Sequence, residues 1–294
     1  MSQRYPGGAP LAGGGGSPLI DVHAHFYQPA SARAPWKALN ASRLDAGARI
    51  GITWHVGSML GSWGATSPVY FQSPDDTVAG NEAMLEVQAA ERQRVRAWAA
   101  VNPNDTDVAL RELERCRQRG AIGLKLAAAR RATDALLDPL LQFAREHHFP
   151  VLHHAWQRRP GHVAGQDPSD AVDLVSLAVR HPGVSILVAH IGGGGDWSHT
   201  LSAVRDVPNV YLDLSGSGVD RGMLDQALEL VGPSRLVWGA DLTMCTGLAK
   251  LWALEVIGVP ASDMECIRWR NAAGMFPVNS FPGLPPGPAS SDPP

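Results

Sequence analysis

Eight apolar runs that alternate with helical patterns constrain the fold of this chain more than any other feature. Strands that alternate with helices in this way pair in parallel through right-handed crossovers, and eight such units close a (β/α)8 barrel. An open doubly wound sheet is the alternative. The predicted strands span residues 18–24, 52–56, 95–101, 121–126, 150–154, 184–190, 210–214 and 236–240. The predicted helices span residues 39–50, 77–93, 105–119, 135–147, 169–180, 196–207, 219–231 and 245–257.

Polar residues at the ends of the predicted strands favour the barrel. They follow strands one, four, five, six and eight, and they are His25, Lys125, His154, His190 and Asp241. In a barrel the carboxyl ends of all strands meet at one mouth, and active sites of this fold lie there. We therefore expect a single, slightly distorted TIM-barrel domain whose site faces that mouth.

The domain is predicted to cover residues 18–276 of the 294-residue chain. Residues 1–17 contain the run Gly13 to Gly16 and too little apolar content to fold alone, so we expect a flexible tail. Residues 277–294 hold seven prolines, which predicts an irregular or disordered tail.

Several classes of protein are disfavoured by composition. No apolar run approaches the roughly 20 residues that span a membrane, and a net charge of −3 gives no basic footprint for nucleic acid. The three cysteines lack C-x-x-C spacing, and the start of the chain lacks the regions of a signal peptide, so a cytoplasmic location is expected. There is no G-x-S-x-G, P-loop lysine or G-x-G-x-x-G motif, so covalent catalysis and nucleotide chemistry are not indicated.

The pair His23 and His25 predicts a metal site. Residues two apart on a strand point the same way, about 6.6 to 6.8 Å apart, so one ion can bridge them. Imidazole nitrogen suits zinc and its first-row neighbours, and a carboxylate such as Asp241 would complete a set that leaves a position for water. Two buried histidines that bind only backbone groups, and an Asp241 that caps the next helix, are the alternatives.

Seven short motifs together resemble one enzyme family. They are Asp-Val-His-Ala-His at 21–25, Gly-Leu-Lys-Leu at 123–126, Pro-Val-Leu-His-His at 150–154, Ala-His-Ile-Gly-Gly at 189–193, Tyr-Leu-Asp-Leu-Ser at 211–215, Trp-Gly-Ala-Asp at 238–241 and Asn-Ala-Ala at 271–273. In them the chain is similar, over residues 18–276, to the amidohydrolase superfamily. The nearest branch is amidohydrolase-2, which contains aminocarboxymuconate-semialdehyde decarboxylase-like enzymes, lactonases and other hydrolases.

The resemblance implies a set of roles. It makes His23, His25, His154 and Asp241 the ligands of a divalent metal, one Zn2+ or alternatively Mn2+. It makes His190 the base or proton donor beside a metal-bound water, with Asp241 as the other group able to move the proton. The family's usual Gly-Ser-Asp-x-Pro reads Gly-Ala-Asp-Leu-Thr at 239–243 here, which alters the loop that follows the ligand.

Four residues are candidate substrate contacts: Lys125, Arg158, Trp63 and Trp156. Lys125 fits a charged partner for a substrate carboxylate or for Asp241; it could also be a carbamylated bridge between two metals or a structural residue. Arg158, next to Arg159, is either an anion clamp or a solvated side chain. The two tryptophans are either walls for a planar ligand or loop packing.

The leading functional prediction is metal-dependent hydrolysis of a small amide, ester or lactone by an activated water. The alternative is non-oxidative decarboxylation of an unsaturated or aromatic acid, and a third reading is a catalytically silent barrel that binds a ligand. The short loops favour hydrolysis by analogy with the family. The expected partner is a small molecule, anionic if Lys125 or Arg158 binds it, and a homodimer is left open; neither nucleic acid nor membrane is expected.

Overall fold

The computed structural model describes residues 17–28, 35–59, 74–157, 167–191, 195–216, 222–241 and 247–285. Eight parallel strands follow one another around a single sheet in sequence order. They are β1 Ile20–Phe26, β2 Trp54–Met59, β3 Val95–Ala100, β4 Gly123–Leu126, β5 Val151–His154, β6 Ile186–Ala189, β7 Val210–Asp213 and β8 Leu236–Val237. The predicted (β/α)8 barrel is confirmed, and the open doubly wound alternative is wrong because its strand order would not be sequential.

The helices surround the barrel between successive strands. They are α1 Trp36–Arg49, α2 Pro74–Ala90, α3 Thr106–Gln118, α4 Asp138–Glu146, α5 Ala171–Arg180, α6 Trp197–Val204, α7 Met223–Leu230 and α8 Gly247–Ile257. The helix predicted at 135–147 divides into a 3-10 turn at Ala135–Leu137 and α4, with Pro139 in the first turn of α4, where its missing N–H costs nothing. None of the helices in the described ranges is long and apolar enough to cross a bilayer.

The barrel closes between β8 and β1 through an aspartate rather than a full ladder. β8 is short, and the seam has backbone bonds from Val22 N–H to Trp238 O (3.2 Å) and from Asp241 N–H to His23 O (2.7 Å). Between them the fully buried Asp21 accepts hydrogen bonds at Oδ1 from the Ala240 and His23 N–H groups, at 2.8 and 3.1 Å. This carboxylate therefore ties the two strands that carry the predicted ligands.

A β-bulge in β1 changes which residues of its second half point into the barrel. Asp21 pairs with His55 and Ala24 with Gly57, so Val22 and His23 together face one residue of β2. Val22 lies in the apolar cluster inside the barrel, whereas Ala24 belongs to the cluster between the strands and the helices. The extra residue thus lets Val22 fill the interior while His23 and His25 point into the mouth.

The amino end of the barrel is covered by the segment that follows α8. This segment contains α9 Ala261–Glu265, a π-type turn Cys266–Arg270 and α10 Asn271–Met275. Trp269, Phe276 and Phe281 join the interior apolar cluster, and Arg96 donates from Nε to the Ser280 carbonyl at 2.7 Å. Through residue 284, part of the predicted proline-rich tail packs against the barrel.

Candidate metal centre

Three side chains from β1 and the end of β8 converge at the mouth of the barrel. The Nε2 atoms of His23 and His25 lie 3.1 Å apart, and His25 Nε2 lies 3.4 Å from Asp241 Oδ1. His23 and Asp241 are each 1% exposed and His25 is 12% exposed. Their ligand atoms lie within 4.8 Å of one another, as side chains that share one ion require.

The histidine rings are held so that their Nε2 atoms face this point. His23 Nδ1 lies 2.6 Å from Asp213 Oδ2 and 3.0 Å from Ser215 Oγ. His25 Nδ1 lies 3.2 Å from Ser58 Oγ. A hydrogen bond from one ring nitrogen fixes the tautomer and leaves the other as a lone pair, which is how metal-binding histidines are oriented.

The donor set fits a divalent cation. Burial lowers the pKa of the His23 and His25 imidazoles well below its ordinary value, so both rings are neutral ligands. Burial also raises the pKa of Asp241 to about 6. Both carboxylate oxygens of Asp241 are buried and make no hydrogen bond within the described part of the chain. A buried carboxylate without hydrogen bonds is costly, and a bound cation would remove that cost.

Two residues of the site have an unusual backbone. His190 and Asp241 have φ angles of 71° and 46°, in the left-handed region that residues other than glycine seldom adopt. His190 directly follows β6, whereas Asp241 lies four residues after the end of β8, where its N–H is held by the His23 carbonyl. Such strain persists only where the surroundings fix it, and it is common at functional sites.

Lys125 at the end of β4 lies against the cluster. Its Nζ is 3.1 Å from His23 Nε2, and the side chain is 7% exposed. Burial lowers the pKa of the ammonium to about 8, although Asp213 and Asp241 act in the opposite direction. Lys125 therefore reaches the same ring lone pair that a metal would use, so the two are alternatives at that atom.

His190 lies next to His23, outside the cluster, and His154 lies next to His190. The His190 ring stacks on His23 with centroids 5.0 Å apart and meets the His154 ring edge-on at 4.8 Å. His154 is not among the three residues whose ligand atoms converge most closely. It follows the interior residue Leu152 by two positions, whereas His153 is fully buried on the other face of β5. The expectation that His154 is the inward-facing member of the pair agrees with this alternation.

The other predicted contacts divide into two groups. Trp156 meets His154 edge to face with ring centroids 4.2 Å apart, so it lies at the mouth. Trp63, Arg158 and Arg159 fall outside the described residues.

Sequence reasoning assigned no role to Asp213, Ser215 or Gly239, although all three lie in motifs that it singled out. Asp213 is the last residue of β7 and is fully buried, and it accepts from Ser215 as well as facing His23. A Cβ atom on Gly239 would lie 2.2 Å from Asp213 Oδ1, which no side chain tolerates. The sequence does contain one indication of this role, because Asp213 is an acidic residue at a strand end like Asp241. The prediction did not include it, because no metal ligand was expected from β7.

A family model described as Amidohydrolase (Amidohydro_2) matches residues 20–278 of this chain. Among curated proteins, the chain is similar to gamma-resorcylate decarboxylase from Polaromonas sp. strain JS666. The two are 25% identical over 247 residues, which cover 68% of this chain and 75% of that protein. The family prediction is confirmed, and so is the prediction that the chain is an enzyme.

Solved structures show the same fold. A dihydroxybenzoic acid decarboxylase from Polaromonas sp. JS666, with bound manganese and the inhibitor 2-nitroresorcinol, has a TM-score of 0.68 at 18% identity, covering 88% of this chain and 96% of that one. The 5-carboxyvanillate decarboxylase of Sphingomonas paucimobilis has a TM-score of 0.66 at 16% identity, covering 88% and 98%.

These comparisons contradict hydrolysis as the leading prediction, because the curated relative and both solved structures are named as decarboxylases. The alternative reading fits them better. The error came from the loop-length argument: the same histidines and carboxylate serve both reactions, and loop length does not determine which bond breaks.

Proposed function

We propose that this chain, which belongs to the amidohydrolase family, is a metal-dependent, non-oxidative decarboxylase of a small hydroxylated aromatic carboxylic acid. The observation that carries the proposal is a buried ammonium, Lys125, beside the converging groups of His23, His25 and Asp241. Two neutral imidazoles and a carboxylate would hold a divalent cation, and that cation together with the buried Lys125 ammonium would attract a carboxylate substrate. The similarity to gamma-resorcylate decarboxylase supports the aromatic substrate class.

His23, His25 and Asp241 would hold the metal, with His154 as the fourth ligand of the predicted set. Imidazole and carboxylate donors accept both zinc and manganese, and the manganese of a related structure favours the latter. When bound, the cation supplies a Lewis acid that attracts the substrate carboxylate and stabilises negative charge that develops during the reaction.

We infer a single metal rather than a pair bridged by carbamylated Lys125. The other group of metal-binding side chains in the described ranges is His23, His190 and Asp213. The polar atoms of this second group are already used in hydrogen bonds, because the Nδ1 atoms of both rings face Asp213 or Ser215. Of the two groups, the one formed by His23, His25 and Asp241 has its ligand atoms turned toward one another.

Lys125 would bind the substrate carboxylate. Its Nζ donates to His23 Nε2 at 3.1 Å, and it must give up that bond when the lone pair goes to a metal. The three N–H donors of the buried ammonium are then available for an anion. A charge-assisted bond of this kind contributes about 1.5 to 3 kcal/mol.

His190 would supply the proton that replaces carbon dioxide. In the reaction the bond between the ring carbon and the carboxyl carbon breaks, its electron pair stays on the ring carbon, and carbon dioxide leaves. The ring carbon then takes a proton, which we assign to His190 Nε2. Trp156, edge-on to His154 at 4.2 Å, would form one wall for the aromatic ring of the substrate.

Incubation with two sets of compounds tests the proposal. Manganese-loaded and zinc-loaded protein is supplied with 2,6-dihydroxybenzoate, 5-carboxyvanillate and related acids, and with pooled lactones and amides. We expect release of carbon dioxide and the matching phenol from at least one acid, and no acid release from the second set. The Asp241→Asn variant serves as the matched control and should be inactive. Lactone or amide cleavage without any carbon dioxide would refute the proposal.

A further inference from the structure

A compact network of hydrogen bonds lies behind the candidate ligands, at the carboxyl end of β7. Asp213 and Ser215 form its centre and are 0% and 1% exposed. Ser215 Oγ lies 2.5 Å from Asp213 Oδ2, 2.9 Å from His190 Nδ1 and 3.0 Å from His23 Nδ1. One hydroxyl therefore touches the carboxylate, the candidate proton donor and a candidate metal ligand.

We infer that Ser215, oriented by Asp213, is a positioning residue that fixes His190 in the tautomer with its proton on Nδ1. This leaves Nε2 as the atom that exchanges a proton with the substrate. The inference deepens the proposed function and rests on it for the role of His190 in the reaction.

The direction of each bond follows from counting hydrogens. At 2.5 Å a hydrogen must lie between Ser215 Oγ and Asp213 Oδ2, because two bare oxygens at that distance would repel. Asp213 accepts from the Ser215 N–H at Oδ1, and its Oδ2 faces both His23 Nδ1 and Ser215 Oγ. A carboxylate surrounded by donors in this way accepts at each contact, so the serine hydrogen is used there. Ser215 Oγ then has only lone pairs for His190, and His190 Nδ1 must be the donor of the 2.9 Å bond.

The second histidine does not compete for the same oxygen. His23 Nδ1 is closer to Asp213 Oδ2, at 2.6 Å, than to Ser215 Oγ, at 3.0 Å, so its hydrogen goes to the carboxylate. Asp213 thus serves the metal ligand, whereas Ser215 serves His190. The nearest carboxylate oxygen of Asp241 is 3.9 Å from His190 Nδ1, too far for a hydrogen bond.

The chain around Ser215 is built to hold it in place. The Ser215 N–H donates to Asp213 Oδ1 at 2.8 Å. The fully buried Lys250 of α8 donates from Nζ to the carbonyls of Ser215 and Gly216, at 2.7 and 2.8 Å. Gly216 has a φ of +86°, and a Cβ there would lie 3.1 Å from His190 Nδ1. Such close approach explains why a glycine follows the serine.

The fixed tautomer has a consequence for each turnover. When the carbon–carbon bond breaks and carbon dioxide leaves, the ring carbon takes the proton from Nε2 of the protonated His190. The neutral imidazole that remains keeps its Nδ1 hydrogen on Ser215 and has its lone pair at Nε2, ready for the next proton from solvent. Without Ser215 the neutral ring can hold its hydrogen on either nitrogen, and only one arrangement is productive.

Nitrogen-15 NMR of the histidine rings tests the tautomer directly. The zinc-loaded protein is labelled uniformly, and the His190 signals are assigned by their loss in His190→Asn. In the wild type at neutral pH we expect a protonated Nδ1 and a bare Nε2. Ser215→Ala should populate the other tautomer, and Ser215→Thr, which keeps the hydroxyl, should restore the wild-type pattern.

Metal content and kinetics separate this role from a structural one. Ser215→Ala should keep its zinc, because Asp213 still holds His23, yet lower kcat by at least about tenfold with little change in KM. Asp213→Asn should instead weaken zinc binding. A wild-type His190 protonated on Nε2, or a Ser215→Ala variant that keeps its tautomer or loses its zinc, would overturn the inference. The expected tautomers in a protein that decarboxylates nothing would support the inference and refute the proposed function.

Discussion

The substitution Gly239→Ala should damage the metal centre without removing any candidate ligand. The added Cβ would lie 2.2 Å from Asp213 Oδ1 and 3.0 Å from His23 Cβ. Cβ atoms do not approach other atoms to 2.2 Å, so either the carboxylate or the backbone between β8 and Asp241 must move. Movement of Asp213 breaks its bond to the Ser215 N–H and releases the His23 ring.

Two magnitudes follow from that displacement. Overpacking of a well-packed interior costs about 1 to 3 kcal/mol, so the free energy of unfolding should fall by that amount. Loss of a group that orients a metal-binding histidine lowers metal affinity by about 10 to 100-fold. Urea denaturation measures the first effect, and competition for zinc against a chromogenic chelator measures the second.

The matched control is Gly274→Ala in α10. A Cβ at Gly274 meets no atom within 4 Å, and alanine is the better helix former, so stability and zinc affinity should not fall. If Gly239→Ala binds zinc as tightly as the wild type and unfolds at the same urea concentration, the claim that Asp213 positions His23 is refuted.

Three further predictions concern single side chains. Lys125→Met should keep or strengthen zinc binding, because the ammonium that competes for the His23 ring lone pair is gone, but it should raise KM for the acid substrate by at least about tenfold. Chelator competition measures the zinc affinity and steady-state kinetics measure KM, and a loss of zinc would contradict the prediction. Asp21→Ala should lower the free energy of unfolding by about 2 to 5 kcal/mol, since it leaves the Ala240 N–H and other buried donors unpaired; a loss below about 1 kcal/mol in urea would show that the seam does not depend on it. Glu82, whose hydrogen bond from Arg119 holds its carboxyl pKa below the ordinary 4.5, contributes its full stabilisation above that pH, and the contribution is lost as pH falls through the lowered folded value. Glu82→Gln should therefore cost less than about 1 kcal/mol at neutral pH and nothing in stronger acid, as urea melts at several pH values would show.

Features that depend on local periodicity could be predicted from the sequence. All eight strands overlap the predicted apolar runs, although β1 and β2 end two and three residues later and β8 ends three residues earlier than predicted. The overlap arises because a buried parallel strand has a short, nearly continuous apolar pattern. His23 and His25 share a face because side chains alternate along a strand. The polar residues at the strand ends meet because parallel strands of a barrel end at one mouth.

Features that depend on pairing between distant strands could not be predicted. The bulge at Val22 and His23 is defined by how β1 pairs with β2, and the residues of β1 alone do not indicate it. The seam through Asp21 depends on how far β8 extends, which is set by neighbours on both sides. The helical cover after α8 was missed because its apolar residues, such as Trp269 and Phe276, fill the barrel end rather than one face of a long helix.

If the proposed function holds, the charges at the mouth account for the selection of an anionic substrate by few groups. Asp213 and Asp241 are two buried carboxylates, and the Lys125 ammonium lies beside them. Alone, these groups would repel a carboxylate. A divalent cation would reverse the sign of the local charge, and among buried side chains that reversal would act with little screening. The same arrangement favours release, because carbon dioxide is neutral and leaves behind a phenol without the carboxylate that Lys125 and the cation would attract. Decarboxylation thus removes the charge by which the substrate is recognised, whereas hydrolysis of a lactone or ester would create a carboxylate in a site suited to retain it.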